Sequence, residues 1–250
     1  MPLKALSCAG VILLALGLIL GYIYVNLNTS GYFKIKEVLS RPPGMVDLAY
    51  LEVRNIFGVD LRREAERILR LCPSCSSVRL SRLFPDRLIA DFIPRRPVAL
   101  AKFYRYFALD AHGVLFEYPV PPGESGLPVI TGLETKIFGP KAGKRYSQRE
   151  VLTALNIIKE FKRGRFLRLC QIRRIDVSSA SAVSVFVAMP PQPATAFPPV
   201  VEVKVGQEHT AEKINLLSGL LVASRDDWGK IRYIDLRFKE AVIKFNEGKS

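Results

Sequence analysis

The sequence has little of the material from which most catalytic and metal-binding sites are built. Its 250 residues include two histidines, four cysteines and one tryptophan. Two histidines, His112 and His209, are too few for most histidine-based metal or acid–base sites, and four cysteines are too few for a disulfide framework. No glycine-rich phosphate loop occurs, and no spacing places two carboxylates together for acid–base work. The composition therefore weighs against most hydrolase and metalloenzyme chemistries, and we expect no cofactor, metal or small-molecule substrate.

An uncharged apolar segment stands near the start of the chain, from Ala5 to Val25. As a helix it would span roughly 30 Å, the hydrocarbon thickness of a bilayer. The alternative is a cleaved signal peptide, whose apolar core is only about 7–15 residues long and ends at small residues. The segment therefore predicts an uncleaved transmembrane helix over 5–25. Residues 1–4 would then be cytoplasmic, and the large remainder would lie on the extracytoplasmic, periplasmic side of the inner membrane.

Positive charge is in excess, with 37 Lys and Arg residues against 23 Asp and Glu residues. Half of the net charge of +14 falls between Arg62 and Arg105. Outside a membrane the available polyanions are lipid headgroups and acidic protein surfaces, so we expect no nucleic acid as a partner. A generally basic, solvated surface is the simpler interpretation.

Two folded parts are predicted after a linker over 26–32. Residues 33–99 predict an α+β unit with the order strand, helix, helix, strand, strand. Asp47 and Asp60 are expected to cap its two helices, and Pro85 and Asp86 belong to the turn between its last two strands. The predicted segments are a strand over 33–39, helices over 48–57 and 61–71, and strands over 77–82 and 87–92.

The second part, residues 100–246, is predicted to be rich in strands with flanking helices. Gly113 can supply a positive φ to the turn of a hairpin. Ser147 and Glu150 form a capping box for one helix, and Thr210 is expected to cap another. The predicted strands cover 106–109, 114–116, 172–177, 183–189, 200–205, 231–238 and 241–245. An exposed loop is expected over 190–199 and a short tail over 247–250.

Cys72 and Cys75 form a C-x-x-C pair, which is the one motif that suggests an enzyme. Reactive thiols of this kind lie at a helix N-terminus, where the helix dipole lowers the thiol pKa. This pair follows the predicted helix over 61–71 and so lies at a C-terminal end. We therefore expect either buried thiols or a local disulfide; a membrane-anchored thiol oxidoreductase is the alternative.

Taken in order, seven short motifs resemble those of the bacterial cell-division family FtsQ/DivIB. They are Leu71 to Pro73, Val78 to Leu80, Pro85 to Leu88, Arg95 to Ala99, Leu109 to Phe116, Leu127 to Gly132 and Ile234 to Phe238. The resemblance implies that residues 33–99 form a polypeptide-transport-associated (POTRA) domain and that residues 100–246 form the family's β-domain. It also implies a single-pass protein of the inner membrane at the division septum.

The final predicted strand is expected to lie at a sheet margin, because it is close to the chain terminus. An edge strand leaves backbone groups unpaired, and these groups can accept an extended peptide. The resemblance implies that this region receives a strand from FtsB, which is coiled-coil paired with FtsL. Phe238 stands where the family often has Tyr, so a hydroxyl contact would be absent. The candidate partner-binding residues are Arg237, Phe238, Lys239, Glu240, Ala241, Val242 and Ile243.

The sequence thus predicts a non-catalytic, membrane-anchored scaffold of the division machinery that links FtsB and FtsL to septal wall synthesis. Its expected partners are the FtsB–FtsL coiled coil, the septal synthase and membrane lipid. A POTRA-type periplasmic chaperone or transport factor, with loose peptide binding at an edge strand, is the second alternative. An edge merely shielded by Lys239 and Lys244 is the structural alternative to a binding site.

Overall fold

A computed structural model of the chain describes residues 2–179, 182–190, 198–206, 209–238 and 240–246, with side chains described from residue 12 onward except those of residues 28 and 226. The expected loop over 190–199 and the tail over 247–250 therefore lie largely or wholly outside the described residues. The chain divides into two compact units, Met1–Pro94 and Arg95–Ser250. Both combine helices with sheets, so the α+β class predicted from the sequence is correct.

The first unit contains a long helix, a short sheet and one further helix. Its elements are α1 (Pro2–Thr29), β1 (Glu37–Arg41), α2 (Leu61–Leu71), β2 (Cys75–Leu83) and β3 (Arg87–Pro94). The sheet order is β1-β3-β2, with β1 parallel and β2 antiparallel to β3. Its core lies between this sheet and α2, and includes Ile35, Leu51, Ile56, Ile68 and Leu88.

The expectation of a transmembrane helix over 5–25 is wrong for the described chain. Within the residues that were described, no helix is both long and apolar enough to cross a membrane. Helix α1 runs over Pro2–Thr29.

One of the two helices predicted for the first unit is also wrong. The Asp47 carboxylate accepts a hydrogen bond from the Ala49 amide at 3.0 Å, and only a short 3-10 turn follows at Ala49–Leu51. Val53 then adopts a positive φ of 66°, which ends any helical path. The second helix is confirmed, because Asp60 accepts hydrogen bonds from the Arg62 and Arg63 amides and α2 begins at Leu61.

The second unit contains a nine-stranded sheet with the order β12-β11-β10-β9-β8-β7-β4-β5-β6. Its strands are β4 (Pro97–Lys102), β5 (Tyr106–Asp110), β6 (Leu115–Phe116), β7 (Val129–Thr131), β8 (Gln171–Asp176), β9 (Val183–Ala188), β10 (Val200–Val205), β11 (Ile231–Asp235) and β12 (Val242–Phe245). Its helices are α3 (Pro122–Ser125), α4 (Arg149–Arg163) and α5 (Thr210–Ala223).

One face of this sheet forms the core of the second unit. A single cross-strand row runs from β5 to β12 and places apolar side chains side by side under α4 and α5. The row consists of Phe107, Ala101, Ile130, Ile175, Val185, Val203, Ile234 and Ile243. All but Ile243 are buried. Ile243 is only partly buried because it lies on the last strand, and no described strand lies on the outer side of β12.

The opposite face changes character along the sheet. Near β6 it is apolar, since Leu100, Ala108 and Phe116 are buried against the connecting segment that holds Tyr118 and Leu127. The cross-strand row on this face continues beyond β7 with different side chains, which are Arg174, Phe186, Glu202, Tyr233 and Lys244. This part of the face is therefore polar and aromatic, and it lies beside the last strand.

A buried ion pair holds the hairpin between β5 and β6. Arg95 Nη1 donates to Asp110 Oδ2 at 2.7 Å, and both side chains are largely buried. The other carboxylate oxygen accepts from the His112 and Val114 amides, each at 2.9 Å. Gly113 has a φ of 80°, as its turn position requires, so the predicted hairpin is confirmed. Asp110 thus has a structural role here.

Gly132 follows β7 and lies against the Ser178 backbone, and we expect Gly132→Ala to destabilise the second unit by about 2–4 kcal/mol. A positive φ costs a non-glycine residue roughly 1–2 kcal/mol, and overpacking adds roughly 1–3 kcal/mol. Gly132 has a φ of 86°, and an added Cβ would clash with the Ser178 backbone. Gly139→Ala is the matched control, since its φ is 59° and nothing lies within 4 Å of the added Cβ. Urea unfolding of both variants measures the difference; equal losses would contradict this account of Gly132.

Candidate partner-binding edge

The last strand, β12, lies at one margin of the nine-stranded sheet. It pairs antiparallel with β11, with Ile243 opposite Ile234 and Val242 opposite Asp235. No described residue pairs with its other side. An edge strand in this position presents a row of backbone N–H and C=O groups to whatever approaches it.

The other margin of the same sheet is covered. The Leu115 amide of β6 donates to the Lys144 carbonyl at 3.1 Å, and the Gly143 amide donates to the Leu115 carbonyl at 2.7 Å. The Tyr146 amide donates to the Gly113 carbonyl at 2.7 Å. Backbone from the chain itself therefore satisfies this margin. Among the described residues, the β12 end of the sheet is therefore the end with a margin left for strand pairing.

The structure brings six of the seven predicted partner-binding residues together at this margin. Lys239 lies outside the described residues. Ala241 and Ile243 pack against the core, whereas Glu240 and Val242 are exposed. Among the apolar side chains here, Phe238 is 62% exposed, Val242 48% and Phe245 45%. Three exposed apolar side chains thus flank a short stretch of open backbone.

Arg237 is held in place by Asp235, a partner that sequence reasoning did not assign. Its Nε donates to the two carboxylate oxygens at 3.0 and 3.1 Å, and its Nη2 donates to Oδ2 at 2.6 Å. Its guanidinium also lies 5.5 Å from the centre of the Phe238 ring. The Asp235 carboxylate is buried, so this pair fixes the turn that leaves β11.

The Arg237 hydrogen bond lowers the pKa of Asp235 below its ordinary value, although burial opposes the shift. The folded pKa lies below the unfolded value of about 3.9. The pair therefore stabilises the fold fully above that pH, and this contribution is lost as the pH falls through the folded value. We expect Arg237→Gln to raise the pKa of Asp235, as followed by carboxyl carbon chemical shifts in an NMR titration.

Asp176 is the internal control for that titration. Burial raises the pKa of Asp176, but hydrogen bonds from the Ser178 hydroxyl at 2.6 Å and amide at 2.9 Å contribute to a net lowering. Arg237 makes none of these contacts, so the Asp176 titration should not move in Arg237→Gln. An unchanged pKa at Asp235 in that variant would refute the assigned role of Arg237.

Cations and aromatic rings alternate on the sheet face beside β12. The Lys204 Nζ lies 4.6 Å from the centre of the Tyr233 ring, and the Arg174 guanidinium lies 4.0 Å from the centre of the Phe186 ring. Sequence reasoning missed these residues. The alternation within β10 and β11 indicates which side chains share a face, but only the register between strands brings these cations and rings together.

Cys72 and Cys75 form a disulfide at the C-terminal end of α2, one of the two arrangements expected. Both residues are buried. Burial denies another protein's thiol the access that exchange requires, which argues against the oxidoreductase alternative. Over the described ranges, no group of three or more His, Cys, Asp or Glu side chains could hold a metal ion.

Comparison with known families identifies the β-rich unit. A family profile described as "Cell division protein FtsQ/DivIB, C-terminal" matches residues 100–237, which is more than half of the chain. The chain belongs to the FtsQ/DivIB family. The family membership inferred from the motifs is therefore confirmed, and the chain is a cell division protein.

Several relatives, each named cell division protein FtsQ, match over most of the chain. The protein of Geotalea daltonii is 28% identical over 89% of this chain and 80% of its own length. That of Syntrophotalea carbinolica is 23% identical over 89% of this chain and 77% of its own length. That of Koribacter versatilis is 28% identical over 76% of this chain and 52% of its own length. The first two matches extend well beyond the β-rich unit.

Proposed function

We propose that this FtsQ/DivIB family member is a non-catalytic scaffold of the division machinery. The outer edge of β12 receives an extended strand from FtsB, which is coiled-coil paired with FtsL. Holding this pair at the division septum links it to septal wall synthesis. The observation that carries the proposal is the asymmetry of the sheet, whose β6 margin is covered by backbone while no described residue pairs with its β12 margin.

Backbone pairing alone would be too weak to hold the partner. A strand of about four residues adds about four hydrogen bonds, each contributing about 0.5–1.5 kcal/mol, or about 2–6 kcal/mol in total. Micromolar binding requires about 8 kcal/mol. The remainder has to come from side chains, and the exposed Phe238, Val242 and Phe245 supply the apolar surface for it.

The cations around this edge suit a partner strand that carries carboxylates, although the edge also has an exposed carboxylate of its own at Glu240. Lys244 is an exposed residue on β12, and Lys204 lies two strands away on the same sheet face. Arg237 adds a third cation, although Asp235 neutralises much of its charge. Complementary charge raises the association rate and excludes basic competitors more than it raises affinity. We therefore expect binding to weaken as the ionic strength rises.

Calorimetric titration of the full chain with the FtsB–FtsL pair tests the proposal. The matched control is the same pair with the C-terminal sequence of FtsB scrambled at constant composition. We expect a dissociation constant in the micromolar range or tighter for the native pair and no binding for the scrambled pair. Equal binding of both would contradict the proposal and favour the sequence-tolerant chaperone. Absence of binding by the native pair would also overturn it.

A further inference from the structure

A groove along α4 lies far from the β12 edge in the second unit. It encloses about 490 Å³. Leu152, Leu155 and Ile158 form its α4 side, and Val98 of β4 and Ala111 of the β5–β6 turn form the side opposite. Leu152 is 45% exposed. The groove is therefore an apolar surface that the core of the unit leaves uncovered.

Cations border the C-terminal end of this α4 groove. Lys159, Lys162 and Arg163 belong to its lining. Arg163 Nη1 donates to Glu160 Oε1 at 3.3 Å, whereas within the described part of the chain no ion pair involves Lys159 or Lys162. Cations in the last turns of a helix also complement its dipole, but the dipole does not require them to border an apolar groove. Two of the three cations are thus available to an acidic group on a bound molecule.

The geometry of the walls distinguishes between a helix and a strand as the occupant. The lining residues of α4 run from Leu152 to Arg163, which corresponds to about 16 Å of helix or about three turns. The α4 wall satisfies its backbone groups within the helix, and β4 is paired on both sides, with β7 and β5. A strand would find no open backbone ladder here, whereas a helix needs only an apolar groove.

We propose that the α4 groove docks an amphipathic helix of an acidic partner protein, with apolar side chains over Leu152 and Leu155 and carboxylates against Lys159 and Lys162. In the sheet order, β4 and β12 are separated by five strands, or about 29 Å at the usual strand spacing. The two surfaces can therefore be occupied at once. The second unit then bridges two partners, one through backbone pairing and one through side chains.

Photo-cross-linking in the native host tests this proposal. A benzophenone amino acid at position 152 is expected to form an adduct with one protein, and the cross-linked peptide should be net negative with apolar residues at i, i+3, i+4 and i+7. A probe at Phe138, which is 87% exposed and outside the groove lining, is the positional control. Adducts with lipid, with a second copy of this chain, or equally from both positions would overturn the proposal.

Charge reversal provides the matched control. The double variant Lys159→Glu/Lys162→Glu should reduce the adduct at position 152 at least tenfold, whereas Lys141→Glu, which changes an exposed residue outside the groove lining, should leave it unchanged. An adduct insensitive to the double variant would contradict the proposal. The adduct should persist in Val242→Asp, so the loss of FtsB–FtsL binding and the loss of this helix remain distinguishable.

Discussion

Val242→Asp is expected to weaken binding of the FtsB–FtsL pair at least 100-fold. The side chain lies beside the open edge and is about half exposed in the free chain, so a carboxylate there remains solvated until a partner strand covers it. Covering an unpaired charge then costs several kcal/mol, because the charge loses water and gains no partner. Calorimetric titration measures the loss. The free energy of unfolding of the free chain should change by less than about 1 kcal/mol, because strand propensities of the amino acids differ by no more than about that amount.

Two further variants make this result specific. Val242→Thr keeps the β-branched shape without charge and should retain binding within about threefold, as expected for a substitution that leaves strand propensity intact. Phe238→Ala removes an exposed aromatic side chain that we expect to be an anchor of the interface. Truncating an anchor costs about 2 kcal/mol or more of binding free energy, so the dissociation constant should rise about thirtyfold. Unchanged binding by both Val242→Asp and Phe238→Ala would place the interface elsewhere.

Asp110→Ala is expected to destabilise the second unit by about 3–5 kcal/mol, the largest stability effect we expect. Removing one partner of a buried ion pair takes from the other charge the carboxylate that compensates its burial, which is strongly destabilising. Here Arg95 would lose its 2.7 Å contact, and the amides of His112 and Val114 would lose their acceptor. Chemical denaturation followed by circular dichroism measures the loss.

An exposed ion pair in the same unit provides the control. Arg105 Nη2 donates to Glu117 Oε1 at 2.8 Å, a distance close to that of the buried pair, but both of its side chains are about half exposed or more. Exposed pairs contribute only about 0–1 kcal/mol. Glu117→Ala should therefore change stability by less than about 1 kcal/mol. Similar losses in Asp110→Ala and Glu117→Ala would contradict the assignment of burial as the cause.

Much of the second unit could be predicted from the sequence because its strands have strong local signals. The strands over 172–177, 183–189 and 200–205 agree with β8, β9 and β10 to within one residue at each end. The C-terminal end of the next strand was predicted less accurately, because the strand predicted over 231–238 ends at Asp235. Asp235 accepts from the Arg237 amide at 3.0 Å, and this local bond turns the chain out of the strand.

Helix starts were predicted less well than the helices themselves. The capping box of Ser147 and Glu150 is wrong, because Gln148 occupies the N-cap position of α4 and makes no side-chain cap bond. At α5 the N-cap is His209 in a left-handed conformation, and Thr210 is the first helical residue. In both cases the apolar spacing indicated the helix correctly. The first residue of a helix depends on the backbone conformation of the residues before it. The spacing of apolar residues carries no information about that conformation.

The contacts between distant parts of the second unit were beyond sequence reasoning for a different reason. Asp110 with Arg95 joins residues fifteen apart in the chain, and Lys204 with Tyr233 joins two strands separated by α5. Such pairs depend on strand order and register. The sequence indicates that the last strand is close to the terminus, but only the sheet order places it at the margin beside these cations.

Hydrogen–deuterium exchange of the full chain, with and without the FtsB–FtsL pair, tests the central claim most directly. We predict that binding slows exchange at the amides of β12 (Val242–Phe245) at least tenfold, because half of the backbone groups of an edge strand gain partners there. The amides of β6 should not change, since the chain already covers that margin. Full binding with unchanged exchange at β12 would contradict strand addition at this edge.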